Sequence, residues 1–387
     1  MPSAVPHAVP TAAPEPLEGA ARGASPGLLA LEGGLVLWGA LHGSRLPADG
    51  DLVFTTAATG WGEILTDPSY AGQMVVLTHP MAGNYRISRS ELESSTVHAR
   101  GLVVTRLVDP PPGPGLSLDE LLAEGGIPAI SGIDTRALTL LLRNGAARRT
   151  TIVPAAYGEA EALERARNSP AWEAVDHVAV VATRERFRIA PVVERRARAV
   201  LVDYGVKRSL LAALAGRGVE VVGLPPSSTA ADVAAEAPDL IVLSPGPGDP
   251  ARMAPQIETV HSLAATAARG GTPILGICLG HQLLGLAAGA ETRRLAVGHH
   301  GGNHAVLEAD SGRVDIGAHN HEVEVVDEPA LAAAGYRVSH RDLNDGTVEG
   351  LAHASGRIAS VQFHPEGAPG PIDATRIFDL ALEAALA

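Results

Sequence analysis

A cysteine lies between two glycines at 276–280, where the chain reads Gly-Ile-Cys-Leu-Gly. A G-x-C-x-G pattern between a short apolar run and an apolar helix is the cysteine form of the nucleophile elbow, a sharp strand-to-helix turn that presents a nucleophile above a sheet. The helix N-terminus favours the thiolate of Cys278, and the N–H of Leu279 points to where a tetrahedral oxyanion would form. The pattern therefore predicts acyl transfer. The alternative is a buried structural cysteine, the usual fate of an isolated cysteine.

A base for this nucleophile is predicted at residues 364–366, His-Pro-Glu, which follow an apolar run expected to be a buried strand. Residues two apart in extended chain point the same way, so Glu366 can accept the imidazole N–H that His364 does not use on the thiol. The roles match Cys-His-acid catalysis, in which histidine is base and then acid while the carboxylate sets its tautomer. Alone, His-Pro-Glu would rather indicate a surface turn. Together with the elbow it predicts a triad.

The elements that must position these residues follow from the hydrophobic pattern. After residue 199, strands and helices alternate as βαβ units, with strands expected at 199–203, 219–222, 239–243 and 273–277 and helices at 207–216, 255–269 and 280–288. This alternation predicts an open parallel sheet with helices on both faces, and Cys278 falls at the carboxyl end of a strand, where ligands bind in such sheets. Before it, short strands between Gly/Pro turns, with helices near 117–124 and 134–144, predict a mostly-β (α+β) domain.

The predicted fold class is α/β, and 387 residues are enough for two domains that each bury a core. Four segments are expected: a disordered Pro/Ala-rich tail at 1–27, the mostly-β domain at 28–182, a charged linker at 183–198, and the βαβ domain at 199–387. The tail has no early positive charge and no apolar core, so it does not resemble a signal peptide.

Composition excludes several kinds of function. Thirty Lys and Arg against 43 Asp and Glu give a net charge of −13, which argues against nucleic-acid binding. A single cysteine excludes an intrachain disulfide and fits a cytoplasmic location, where a catalytic thiol stays reduced. No apolar run reaches the ~20 residues of a spanning helix, so no membrane role is expected.

Three motifs resemble the signatures of the class I (triad) glutamine amidotransferases, in that family's order. They are Ser-Pro-Gly-Pro-Gly-Asp-Pro at 244–250, Gly-Ile-Cys-Leu-Gly-His-Gln at 276–282, and His-Pro-Glu at 364–366. The first motif also has a physical interpretation, because Gly246 and Gly248 let backbone N–H groups approach a substrate oxygen and complete an oxyanion pocket opposite Leu279. The alternative is an ordinary Pro/Gly loop after a strand.

The first half of the chain narrows the resemblance to one family, the carbamoyl-phosphate synthase small chain, over about residues 28–387. Three stretches of this chain, at 54–85, 93–104 and 126–139, resemble the N-terminal domain of that family. In the second half, Gly-His-His-Gly-Gly-Asn-His at 298–304 and the run at 367–371 also resemble the family. The N-terminal motifs are not shared with other amidotransferases.

The resemblance implies a function and roles for residues. Cys278 would be the nucleophile, with His364 and Glu366 completing the triad. L-glutamine would contact six residues: Ser69, Gly246, Gly248, Leu279, Gln282 and Asn320. The ammonia released would pass to a separate large subunit that uses ATP, Mg²⁺ and bicarbonate, in a heterodimer serving arginine, pyrimidine or specialised biosynthesis. No cofactor is implied in this chain, and it lacks a G-x-x-x-x-G-K-[ST] phosphate loop.

Some positions depart from the family pattern. Asn320-His321 is followed by Glu322-Val323 where the family has Gly and an aromatic residue, and Pro245 replaces the usual Asn. An acidic side chain there would repel a substrate carboxylate unless it points away.

The histidines at 299, 300, 304, 319 and 321 raise the question of a metal site. We expect none, because no carboxylate or thiol lies at matching spacing and Gly-Gly-Asn at 301–303 is typical of a turn. Two other functions stay open at this point: the amidotransferase component of another synthase, such as anthranilate synthase, and a noncatalytic regulatory partner.

Overall fold

The structure is a computed structural model that describes residues 25–145 and 148–387. The predicted tail at 1–27 lies outside the described residues except for residues 25–27, which begin the first strand. In the described part of the chain, no helix is both long and apolar enough to cross a bilayer.

The described residues pack into two compact units. Among the described residues, the first unit comprises 25–66 together with those of Gly72–Val175, and the second comprises Asp67–Ala71 together with Asp176–Ala387. The domain limits at 182 and 198 stay predictions.

The first unit is mostly β, as expected. Its strands are β1 (Ser25–Leu31), β2 (Val36–Gly43), β3 (Ala48–Thr55), β4 (Gln73–Leu77), β5 (Met81–Ala82), β6 (Gly101–Val103), β7 (Arg106–Leu107), β8 (Pro128–Ser131) and β9 (Arg149–Pro154). Its helices are α1 (Trp61–Thr66), α2 (Leu118–Glu124), α3 (Thr135–Arg143) and α4 (Gly158–Asn168), with 3-10 turns at Ala155–Tyr157 and Trp172–Ala174. Seven strands form a closed sheet in the order β1-β2-β8-β6-β4-β3-β9, and β5 pairs separately with β7.

Local sequence accounts for the helices predicted in this unit. Helix α2 begins at a capping box, in which the Ser117 hydroxyl accepts from the Glu120 N–H and the Glu120 carboxylate accepts from the Ser117 N–H. Helix α3 begins where the Asp134 side chain accepts from the Ala137 N–H. Inside the closed sheet, apolar side chains such as Met74 and Ile130 are fully buried.

The second unit is an α/β sheet. Its strands are β10 (Phe187–Ile189), β11 (Ala197–Val202), β12 (Val219–Leu224), β13 (Leu240–Leu243), β14 (Ile274–Ile277), β15 (Thr292–Glu308), β16 (Val314–Val325), β17 (Tyr336–Asp342), β18 (Val348–His353) and β19 (Ile358–Val361). Its helices are α5 (Val178–Val181), α6 (Arg208–Gly216), α7 (Ala230–Ala235), α8 (Ala254–Ala268), α9 (Leu279–Ala287), α10 (Pro329–Ala333) and α11 (Arg376–Leu386), with 3-10 turns at Pro68–Tyr70, Pro250–Arg252 and Asp373–Thr375.

Ten strands of this unit form one sheet in the order β10-β12-β11-β13-β14-β19-β18-β17-β15-β16. The run from β12 to β19 is parallel, which confirms the expected parallel sheet. Val200 and Val202 face a core shared with α8 and α9, whereas Leu201 faces a core shared with α6 and α11. Helices therefore cover both faces, which is why these strands are apolar on both sides.

The antiparallel part of the sheet was not predicted. Strands β15 and β16 form a long hairpin, and β17 and β18 join it to β19. The Gly-Gly-Asn segment at 301–303, expected as a turn, lies inside β15 instead. The expectation was wrong because β15 is paired along its length and a register shift between Gly301 and His304 absorbs the irregularity within the ladder.

Candidate active site

The predicted elbow is present where β14 ends and α9 begins. Cys278 lies between them with φ 51° and ψ −106°, a conformation that non-glycine residues rarely adopt. A Cβ on Gly280 would lie 2.3 Å from the Leu243 carbonyl oxygen, and one on Gly276 would lie 2.8 Å from the Gly280 carbonyl oxygen. Both glycines are therefore required by close backbone approach, and the strained turn places the thiol at the N-terminus of α9.

His364 and Glu366 follow β19 and are bonded to each other. The His364 Nδ1 lies 2.8 Å from the Glu366 Oε1, and both side chains are buried. The His364 N–H donates to the Ala318 carbonyl at 2.8 Å, which attaches the histidine to β16. The His364 Nε2 is buried and has no hydrogen-bond partner among the described residues. The histidine is therefore oriented at one ring nitrogen and available at the other.

Lys207 is a third member of this group that the sequence analysis did not identify. Its Nζ lies 3.1 Å from the Glu366 Oε1 and donates to the carbonyl oxygens of Gly367 and Ala368 at 2.9 and 3.2 Å. It is almost fully buried. One signal was available: Lys207 is the only lysine in a chain rich in arginine.

The charges of these groups support one another. Burial is the largest influence, lowering the pKa of His364 and raising that of Glu366. Lys207 and His364 nevertheless bring the pKa of Glu366 down to about 2. Lys207 also opposes the charged imidazole, but Glu366 and the Cys278 thiol raise the pKa of His364 to about 10. Despite burial, the site therefore favours an ionised Glu366 and a charged His364.

The thiol of Cys278 lies between β16 and the residues after β19. Its Sγ is 4.0 Å from the Asn320 carbonyl oxygen and 3.6 Å from the Gln362 Nε2. Gln282 supports the same region, donating from Nε2 to the Val323 carbonyl at 2.8 Å and to the Gln362 Oε1 at 3.1 Å. Gln282 was predicted to contact L-glutamine, and in the structure its side-chain amide nitrogen donates to these two protein oxygens.

Asp67 brings two other predicted contacts together. The Ser69 N–H donates to Asp67 Oδ1 at 2.8 Å, and Asn320 Nδ2 donates to Asp67 Oδ2 at 3.1 Å. The Ser69 hydroxyl oxygen is buried with no hydrogen-bond partner among the described residues. Asp67 itself was not singled out from the sequence, although an Asp two residues before Ser69 is a typical cap of a short turn.

The remaining predicted contacts lie beside Cys278. Leu279 is the first residue of α9, where N–H groups lack intrahelical partners. Gly246 and Gly248 lie in the loop after β13. A Cβ on Gly246 would lie 2.3 Å from the Tyr204 carbonyl oxygen, and Gly248 has φ +103°, so this loop also depends on its glycines.

The acidic departure at Glu322 is neutralised. Its Oε1 lies 2.8 Å from His300 Nε2, and its Oε2 lies 3.3 Å from Arg294 Nη2. The His300 Nδ1 in turn lies 2.9 Å from the Asn320 Oδ1. Glu322 is buried and contacts both His300 and Arg294. These contacts offset the repulsion that its carboxylate would exert on a substrate carboxylate.

The site combines a strand-elbow-helix with a buried histidine–carboxylate pair, as expected of a class I glutamine amidotransferase. Residues 200–384 match the family model of the class-I glutamine amidotransferases. Residues 29–152 match that of the carbamoyl-phosphate synthase small chain, CPSase domain. The chain belongs to the carbamoyl phosphate synthase small chain family.

Carbamoyl phosphate synthase small chains from several organisms are similar to this protein over most of its length. It is 43% identical to the carbamoyl phosphate synthase small chain of Methanopyrus kandleri, over 91% of this chain and 96% of that one. It is 41% identical to the small chain of Nitratidesulfovibrio vulgaris, again over 91% and 96%. It is 40% identical to the pyrimidine-specific small chain of Halalkalibacterium halodurans, over 91% and 94%. The match at 29–152 disfavours the component of another synthase as an alternative.

Proposed function

We propose that this chain hydrolyses L-glutamine to glutamate and ammonia and supplies the ammonia to a carbamoyl phosphate synthase large subunit. The observation that carries the proposal is the buried His364–Glu366–Lys207 group beside the strained Cys278 turn. The two lie side by side because β14 pairs in parallel with β19 and the Cys278 N–H donates to the Val361 carbonyl oxygen at 2.9 Å. ATP, Mg²⁺ and bicarbonate would act on the large subunit, and the carbamoyl phosphate formed would feed arginine or pyrimidine synthesis. A reducing cytoplasm suits a catalytic thiol.

The nucleophile is the thiolate form of Cys278, which is present when the thiol proton lies on His364 Nε2. The Cys278 sulfur attacks the side-chain amide carbon of glutamine, and the oxyanion accepts hydrogen bonds from the Leu279 N–H and the loop containing Gly246 and Gly248. His364 donates its Nε2 proton to the leaving nitrogen, so ammonia departs and a thioester remains. His364, now neutral, takes a proton from water as the water attacks the thioester, and glutamate leaves while the sulfur recovers its pair.

Glu366 and Lys207 act through His364. The carboxylate holds the ring by its Nδ1–H, which leaves Nε2 directed to the reaction. Lys207 keeps Glu366 ionised in a buried site where a lone carboxylate would tend to be protonated. Ser69 and Asn320, joined through Asp67, would bind the amino-acid end of glutamine.

The test measures glutaminase activity of the chain alone and carbamoyl phosphate synthesis with a large subunit, ATP and bicarbonate. Cys278→Ser should remove glutamine-dependent synthesis while added ammonia still supports it. His261→Gln, an exposed histidine on α8, serves as the matched control and should leave both activities unchanged. Glutamine-dependent synthesis that survives Cys278→Ser contradicts the proposal.

A further inference from the structure

Four buried side chains converge in the antiparallel part of the second unit's sheet, apart from the Cys278 turn. They are His299 on β15, His319 and His321 on β16, and Glu349 on β18, here called the histidine–glutamate cluster. One nitrogen or oxygen atom from each lies within 4.8 Å of the others. Glu349 has no exposed surface, and each histidine is more than nine-tenths buried.

Three atoms of the cluster lack hydrogen-bond partners among the described residues: His299 Nδ1, His321 Nε2 and Glu349 Oε1. They nevertheless face one another, with Glu349 Oε1 3.6 Å from His299 Nδ1 and 3.7 Å from His321 Nε2. Both separations are longer than a hydrogen bond. They are close to the distance of about 3.3 Å that separates two ligand atoms on a tetrahedral metal ion with metal–ligand bonds of 2.0–2.1 Å. Buried polar groups without partners are rare, so the cluster calls for an occupant.

The outer nitrogen of each histidine is already oriented. His299 Nε2 lies 2.8 Å from Asp345 Oδ2, His321 Nδ1 lies 3.0 Å from the Val323 carbonyl oxygen, and His319 Nδ1 lies 3.2 Å from the Gly317 carbonyl oxygen. Backbone carbonyl and carboxylate oxygens accept hydrogen bonds, so each ring carries a proton on its outer nitrogen. Metal-binding histidines characteristically donate their outer N–H to a carboxylate or backbone carbonyl, which leaves the inner lone pair for the ion.

The pair formed by His319 and Glu349 also indicates a bound cation. His319 Nε2 lies 2.8 Å from Glu349 Oε2. With the proton of a neutral His319 on Nδ1, two acceptors would face each other at this distance. A cation between them removes the repulsion.

We propose that His299, His319, His321 and Glu349 bind one divalent transition-metal ion, with zinc as the metal that this ligand set suits best. Three imidazoles and one carboxylate are borderline ligands that favour Zn²⁺ over Mg²⁺ or Ca²⁺. Four protein ligands in a fully buried site are typical of structural zinc, which keeps no open position for substrate. A second grouping, in which His304 and Asp342 join His299 and His319, is less suited. Among the described residues of that grouping, only His299 has a buried polar atom without a hydrogen-bond partner.

The expectation of no metal rested on the absence of a carboxylate at matching sequence spacing and on a turn at 301–303. In the structure, residues 301–303 lie within β15, and the β17–β18 pair brings Asp345 and Glu349 close to the histidines of the β15–β16 hairpin. Sequence spacing therefore does not exclude a carboxylate ligand here.

The ion would fix the part of β16 that borders the candidate active site. His319 and His321 flank Asn320, whose side chain bonds Asp67, and the preceding residue Ala318 accepts the His364 N–H. Only this consequence rests on the proposed glutaminase function; metal binding itself does not.

The metal content of the full-length chain tests the proposal directly. The protein is expressed with zinc, iron and manganese salts in the medium, its affinity tag is cleaved, and bound metals are measured by inductively coupled plasma mass spectrometry. We expect about one equivalent of zinc in the wild type and below about 0.2 in Glu349→Gln and His321→Gln. His353→Gln, a histidine of the same sheet that lies outside the cluster, should retain the full equivalent.

A second measurement remains decisive if the variants do not fold. Wild-type chain stripped with a chelator is titrated with zinc by calorimetry, and its melting temperature is followed. A single saturable site with a rise of several degrees supports the proposal, because an ion that binds only the folded state stabilises it. Substoichiometric metal in the wild type with no rise in melting temperature overturns it, as does equal zinc content in wild type and folded Glu349→Gln. Glutaminase failure with intact zinc binding would contradict the proposed function alone.

Discussion

The ammonium of Lys207 lies 3.1 Å from the carboxylate of Glu366, and neither side chain reaches solvent. Taking two charges out of water is costly unless the pair is well bonded, and here the lysine has two carbonyl acceptors and the glutamate has His364. Removing one partner leaves the other charge buried and uncompensated. This pair is therefore where a single substitution should affect both stability and catalysis.

Lys207→Met should lower the free energy of unfolding by about 3–5 kcal/mol, because it leaves the Glu366 carboxylate with one fewer cation in a buried site. It should also lower kcat more than it raises KM, since the lysine acts on the orientation of His364. Denaturant unfolding and glutaminase kinetics measure the two effects. Arg136→Gln, an exposed position on α3, is the control and should change stability by less than about 0.5 kcal/mol. Equal losses in both variants would show that the buried pair is unimportant.

The pH dependence of stability should carry the signature of His364 and Glu366. The pKa of His364 is raised to about 10 in the folded chain, so its contribution is complete below the ordinary value of 6.5 and is lost as pH rises toward 10. The pKa of Glu366 is lowered to about 2, so its contribution is complete above 4.5 and is lost as pH falls toward 2.

From these two groups, unfolding free energy should be highest between about pH 4.5 and 6.5 and should decline on both sides. Denaturant melts across this range measure the curve. His364→Asn should flatten the alkaline decline, whereas His353→Gln should leave it in place. An alkaline slope that is identical in His364→Asn and the wild type is the result that this assignment does not allow.

Gly280→Ala should disrupt the turn that carries Cys278. The added Cβ would meet the Leu243 carbonyl oxygen at 2.3 Å, so backbone must shift, at a cost of about 1–3 kcal/mol. Displacement of Cys278, the proposed nucleophile, should lower kcat by about 100-fold. Gly216→Ala on α6 is the matched control, because a Cβ there meets nothing within 4 Å. Thermal melts and glutaminase rates compare the two variants, and a fully active Gly280→Ala would exclude the tight elbow.

Asp67→Ala should raise the KM for glutamine by about tenfold and change kcat less. A tenfold rise corresponds to about 1.4 kcal/mol of binding free energy, which is the size expected when these hydrogen bonds are lost. The substitution removes the acceptor for both the Ser69 N–H and the Asn320 Nδ2, and so releases the two residues that are proposed to bind the amino-acid end of the substrate. Asp232→Ala removes a comparable cap from the exposed helix α7 and should leave KM unchanged. Steady-state kinetics of both variants decide the matter.

The sequence by itself determined the local features. Glycines at 276 and 280, an apolar run before them and an amphipathic helix after them are enough to predict the Cys278 turn, because its geometry depends on residues within a few positions. The parallel strands were predicted for the same reason: a strand buried on both faces is apolar throughout, as in Leu201 and its neighbours. The pairing of His364 with Glu366 also follows from a spacing of two residues.

Tertiary structure decided whatever joins distant positions. Lys207 meets Glu366 across 159 positions of chain, and Asn320 meets Asp67 across 253. Histidines on β15 and β16 meet Glu349 only because β17 and β18 lie between the hairpin and β19. Hydrophobic periodicity reports which face of an element is buried but not which element covers it. The partners of buried charged groups are therefore set by sheet order and register, which the whole chain establishes together.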